Sequence, residues 1–168
     1  MAMTQLGLLV LVIALALFGA PAPAPAQEVL HADLEGIQET PAVSTVAAGE
    51  FRARISRDEA FVDYELTYAG LEAAATAAHI HFGQRAVAGG VSAFLCGGGG
   101  KPACPASGTV TGTVTAADVI GPAGQGIAAG ELAELVRAIR EGVAYANVHS
   151  SKFPGGEIRG QIKGSSRN

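Results

Sequence analysis

Three of the four histidines in this chain fall in two short segments, Ala78-His79-Ile80-His81-Phe82-Gly83 and Tyr145-Ala146-Asn147-Val148-His149. Imidazole is the commonest side-chain metal ligand, and its neutral form presents one free lone pair. On a β-strand, residues two apart point the same way, so His79 and His81 share a face. His149 on a neighbouring strand would complete a three-nitrogen site with an open coordination position. Such a donor set suits Cu(II) or Zn(II). Copper is the preferred ion by affinity order, with zinc the alternative. No methionine- or cysteine-rich set accompanies the histidines, so a blue-copper centre is not expected.

Alternation places these side chains. Ala78, Ile80 and Phe82 share one face of their segment, with His79 and His81 on the other. Ala146 and Val148 oppose Tyr145, Asn147 and His149 in the same way. The histidines are therefore expected on the polar side of their strands, at a rim away from the core. His31 lies on the polar side of its own segment and is a weaker candidate for a fourth ligand. Glu157 and Arg159, two apart, are expected to form a structural ion pair.

The same period of two runs through much of the chain. Leu30, Ala32 and Leu34 alternate with polar residues, as do Phe51, Ala53 and Ile55. Val62, Tyr64, Leu66 and Tyr68 repeat the pattern, and so do Val110 with Val114 and Ile158 with Ile162. These are the marks of half-buried antiparallel strands. One segment, about 130–141, instead sets Leu132, Leu135, Val136 and Ile139 on a helical stripe. Glu131 and Glu134 come early and Arg137 and Arg140 late, which suits the helix dipole, and Gly142 is a natural stop. The expected fold is mainly β: an antiparallel, Greek-key-like sandwich or small barrel with one short helix.

Residues 1–26 carry no charged side chain and contain an apolar run from Leu6 to Phe18, then a Pro-Ala string ending in Ala24-Pro25-Ala26. This reads as a signal peptide cleaved after Ala26. The other reading, a membrane anchor, is disfavoured by the short apolar core and the prolines. A single domain over 27–164 and a disordered tail over 165–168 follow. The expected location is exported, periplasmic or secreted, with no membrane span after cleavage. Two cysteines, Cys96 and Cys104, bracket a Gly-rich loop. In an exported chain a disulfide is the natural reading, with a metal-binding pair the alternative at this spacing.

The net charge of −4 argues against a nucleic-acid partner or a polybasic membrane contact. There is no G-x-S-x-G elbow, no phosphate loop and no dinucleotide fingerprint. Ser150 and Ser151 follow His149 without the geometry of a triad.

Together, Leu34-Glu35-Gly36-Ile37-Gln38-Glu39-Thr40-Pro41, the His79–His81 segment, the His149 segment and Gly155-Gly156-Glu157-Ile158-Arg159-Gly160-Gln161 resemble the chordin-type (CHRD) domain over roughly Val29 to Lys163. The Cys96–Cys104 loop resembles a feature of bacterial stand-alone members. The resemblance implies an extracytoplasmic β domain and no particular activity. A fainter, local similarity links His79-Ile80-His81 to the copper-binding strand of copper/zinc superoxide dismutases, with His149 as a late-strand ligand. Counterparts of that family's zinc-loop and bridging histidines are absent. The expected function is an exported domain binding a metal ion through His79, His81 and His149. The alternatives are an interaction module with an envelope or extracellular protein partner, and, third, a copper redox enzyme.

Overall fold

The computed structural model describes residues 27–164. The expected signal peptide and tail, residues 1–26 and 165–168, lie outside the described residues. Nine strands follow in order: β1 (Glu28–Glu35), β2 (Ala48–Ile55), β3 (Phe61–Ala69), β4 (Ala75–Phe82), β5 (Gly90–Cys96), β6 (Gly108–Thr115), β7 (Ala144–Ser150), β8 (Ile158–Gln161) and β9 (Lys163–Gly164). The one α-helix, α1, spans Leu132–Arg140 between β6 and β7. It is shorter at both ends than the expected 130–141. Glu131 precedes its first turn with its carboxylate accepting from the Ala128 amide at 2.6 Å, and Gly142, at φ +68°, turns the chain out of it.

The strands form one antiparallel sheet in the order β5-β4-β7-β8-β1-β2-β3-β6, with β9 added to β1. The sheet curls until its ends nearly meet. Ala93 of β5 bridges Val119, just past β6, and the Tyr64 hydroxyl on β3 donates across the interior to the Leu95 carbonyl at 2.7 Å. Of the two expected architectures, the barrel is the one adopted, since closure leaves the curled sheet almost no free edge.

The alternating apolar residues turn inward as their spacing demands. Leu30, Leu34, Phe51, Leu66, Ile80, Leu95, Val148 and Ile158 are fully or almost fully buried in one cluster. Leu132, Leu135, Val136 and Ile139 of α1 join it. β1 and β3, and β2 from Glu50 onward, alternate buried with more exposed positions, the signature of one dry and one wet face. β7 does not: all seven of its residues are buried. The sheet is therefore covered on both sides where β4, β7 and β8 meet.

Cys96 ends β5, and its sulfur lies 2.01 Å from that of Cys104, a disulfide across the Gly-rich loop. Lys101 of that loop donates to the Thr113 carbonyl at 2.7 Å and pairs with Asp118 at 2.7 Å. No helix among the described residues is long and apolar enough to cross a membrane.

Candidate metal centre

β4 and β7 are direct neighbours, and their register decides which polar side chains meet. His79 lies opposite Asn147, His81 opposite Tyr145, and His149 opposite Ala77. β8 continues the same face, with Arg159 opposite Asn147 and Gln161 opposite Tyr145. On its other side, β4 pairs with β5 through two register shifts, one between Ala78 and His79 and one between Ile80 and His81. Bulges of this kind re-aim side chains and recur beside functional sites.

The three imidazoles converge. One ring nitrogen from each lies within 4.8 Å of the others. His79 Nδ1 and His149 Nε2 are 2.9 Å apart. The ring of His79 meets His81 at 5.3 Å and His149 at 4.7 Å between centroids. Among the described residues this is the group of metal-ligating side chains close enough to share an ion. His31 does not take part; it is exposed on β1 and lines a cleft that Arg159 and Gln161 also border.

The expectation of a solvent-facing rim is corrected. His79, His81 and His149 are only 8, 7 and 8 % exposed. The face is polar and points away from the barrel core, but the segments between strands fold over it. The Gly83–Gly89 segment brings the Gly89 carbonyl to 2.9 Å from His81 Nδ1. The turn after β7 brings the Pro154 carbonyl to 2.9 Å from His149 Nδ1. Gly89 itself sits where a Cβ would lie 1.8 Å from the Phe82 carbonyl oxygen, so only glycine permits this approach.

These two carbonyls assign tautomers, because a carbonyl can only accept. His81 and His149 donate from Nδ1, and each turns an Nε2 lone pair inward. His79 Nδ1 then donates to the Nε2 of His149. Two buried nitrogens, His79 Nε2 and His81 Nε2, have no hydrogen-bond partner. Burial holds the cluster uncharged. It lowers His79 to about 3, with His149 and His81 adding to the effect, and His81 to about 4, partly offset by the Gly89 carbonyl. His149 is lowered as well, by burial first. Neutral, preoriented imidazoles are the form in which histidine binds metal.

A stack supports the site from behind. The Tyr145 ring lies flat on His81, 4.7 Å between centroids and 6° between planes. The Arg159 guanidinium lies over the Tyr145 ring, 3.4 Å from its centroid. Arg159 also donates to the Gln84 carbonyl at 2.9 Å, and Gln161 donates to the Gly83 carbonyl at 2.9 Å, pinning the covering loop to β8. Phe94 of β5 meets His79 edge to face at 4.4 Å.

The expected Glu157–Arg159 ion pair does not form. Glu157 Oε1 accepts from the Thr45 hydroxyl at 3.0 Å and from the Glu72 amide at 2.8 Å. Arg159 is drawn instead to the aromatic face of Tyr145 and the loop carbonyl. Two positions on one strand face are roughly 6.5–7 Å apart, so each side chain finds nearer partners across the sheet. Tyr145, Asn147, Arg159 and Gln161 form the surround that the sequence reading did not assign to the site. The signal was the shared alternation of Tyr145 and Asn147 with His149, extended by the neighbouring strand.

Comparison with known families gives one match: the CHRD domain, over residues 30–162. That interval runs from β1 through β8 and contains all three histidines, so the chain belongs to the CHRD domain family. No curated protein and no solved structure matches the chain.

Proposed function

We propose that this CHRD-domain protein is an exported metal-binding domain that holds one transition-metal ion, copper by preference, through His79, His81 and His149. The observation that carries the reading is three buried, neutral imidazoles whose inward nitrogens converge while the Nδ1 groups of two are committed to backbone carbonyls. Metal-ligating histidines ordinarily have their second nitrogen held in this way, which fixes the ring and raises its basicity. The buried His81 Nε2, which has no partner in the metal-free protein, would gain one, and the ion would take the place of the proton between His79 Nδ1 and His149 Nε2, that proton shifting to His79 Nε2.

Copper is preferred by the affinity order for nitrogen donors, and zinc is the second candidate. Residues 1–26 serve, in this reading, as the signal peptide, and the Cys96–Cys104 disulfide suits the oxidising compartment it leads to.

Chelator-treated protein, titrated with copper(II) and followed by thermal unfolding, tests the proposal. One equivalent should raise the unfolding temperature, because a ligand that binds only the folded state stabilises it. A His79→Ala/His81→Ala variant should show no such rise. An equal rise in that variant would overturn the assignment.

A further inference from the structure

Asn147 is set among the histidines in a way that their own hydrogen bonds do not explain. It is 2 % exposed and lies opposite His79 across the β4–β7 ladder. Its Oδ1 is 3.1 Å from His149 Nε2. His149 donates from Nδ1 to the Pro154 carbonyl, so its Nε2 carries a lone pair. That lone pair accepts the His79 Nδ1 proton, so Asn147 Oδ1 stands at 3.1 Å from a second acceptor with no proton shared between the two.

The other end of the amide accounts for its orientation. Asn147 Nδ2 and Glu39 Oε1 both border the space in front of Gly156. A Cβ there would fall 3.0 Å from the first and 2.4 Å from the second. Gly156 has φ +127°, so the position is reserved for glycine on both counts. With the amide reversed, Oδ1 would face the Glu39 carboxyl, acceptor against acceptor, in a buried setting. The present orientation places the amide nitrogen beside the Glu39 carboxyl, which it helps hold down against the raising effect of burial, and turns the amide oxygen toward the imidazoles. Glu39 is itself 8 % exposed.

We propose that Asn147 Oδ1 is the fourth ligand of the ion held by His79, His81 and His149, and that Glu39 orients the amide for that role. This rests on the three-histidine reading above. An ion taking the place of the proton between His79 Nδ1 and His149 Nε2, with that proton shifted to His79 Nε2, would turn the repulsive contact of Asn147 Oδ1 with His149 Nε2 into two attractive ones. A neutral amide oxygen with three imidazoles makes an N3O set with no ligand charge. That set suits a tetragonal Cu(II) better than a soft, thiolate-seeking ion. It also separates this centre from one built of three histidines and an open water position.

The test is copper(II) binding to the full chain, by competition with a chromophoric chelator and by electron paramagnetic resonance. Asn147→Leu keeps the side-chain bulk and removes the oxygen; it should weaken copper(II) about 10–100-fold and change the parallel hyperfine coupling. Asn147→Asp, made together with Glu39→Gln so that its second oxygen meets an amide donor, keeps an oxygen at the ion and adds a charge. It should bind copper(II) more tightly than the wild type, a result that lost packing would not produce. Should Asn147→Leu not fold, the Asp variant carries the test alone. Wild-type affinity and an unchanged spectrum in the folded variants would overturn the fourth-ligand assignment and leave the histidine site standing. Wild-type protein that takes up no copper(II) would overturn both.

Discussion

Acidification should destabilise the metal-free protein through its histidine cluster. Burial lowers His81 to about 4 from an ordinary value of 6.5. Between those two values the unfolded chain binds a proton at this position and the folded chain does not. Stability therefore falls as pH drops below about 6.5, and the loss levels off only near the folded value of about 4. Integrated from about pH 7 to about pH 4.5, the loss from His81 alone is on the order of 2 kcal/mol. Glu39 acts in the opposite sense. Burial raises its carboxyl, so its contribution is present at low pH and is lost as pH rises. Wild type must therefore be compared with a variant in which only the imidazole is gone. His81→Gln keeps a polar group of similar reach against Tyr145 and the Gly89 carbonyl. Urea unfolding of both chelator-treated proteins at about pH 7 and about pH 4.5 gives the difference directly. Wild type should lose on the order of 2 kcal/mol more than His81→Gln across that interval. Equal losses would refute the claim that His81 is held neutral by burial in the folded state.

Replacing Cys96 and Cys104 with serine removes a crosslink between residues eight apart in sequence, which the chain-entropy relation values at about 2.5 kcal/mol. Thermal unfolding should fall by roughly 6–10 °C. Gly89→Ala forces a Cβ against the Phe82 carbonyl oxygen and displaces the acceptor that orients His81. It should cost about 1–3 kcal/mol in urea unfolding and weaken copper(II) about 10-fold in a chelator competition.

Much of the barrel was legible from the sequence because β1, β2 and β3 each have one wet face. Leu30, Ala32 and Leu34, or Val62, Tyr64, Leu66 and Tyr68, could alternate with charged residues only if one side faced solvent. The stripe of Leu132, Leu135, Val136 and Ile139 was as plain for α1. β7 and β8 were harder. The alternation of Tyr145, Asn147 and His149 with Ala146 and Val148 separated the two faces correctly. It could not say that the polar face would also be covered. That cover comes from Gly- and Pro-containing segments around Gly83–Gly89 and Pro154–Gly156, which have no period and whose place depends on the closed sheet.

The histidine group shows the same division. His79 and His81 share a face by spacing alone. Their meeting with His149 depends on β4 lying beside β7, strands separated in sequence by β5, β6 and α1. Which nitrogen each ring turns inward depends on carbonyls from loops that carry no motif for the purpose. Arg159 illustrates the limit most clearly. Its strand position was readable two residues from Glu157, yet its partner is Tyr145, one strand away.

The most direct test of the histidine site is an anomalous difference map from crystals of the protein loaded with one equivalent of copper(II). A single peak is expected among His79 Nδ1, His81 Nε2 and His149 Nε2, about 2 Å from each. No peak there, or a peak at His31 or another surface site instead, would contradict the account.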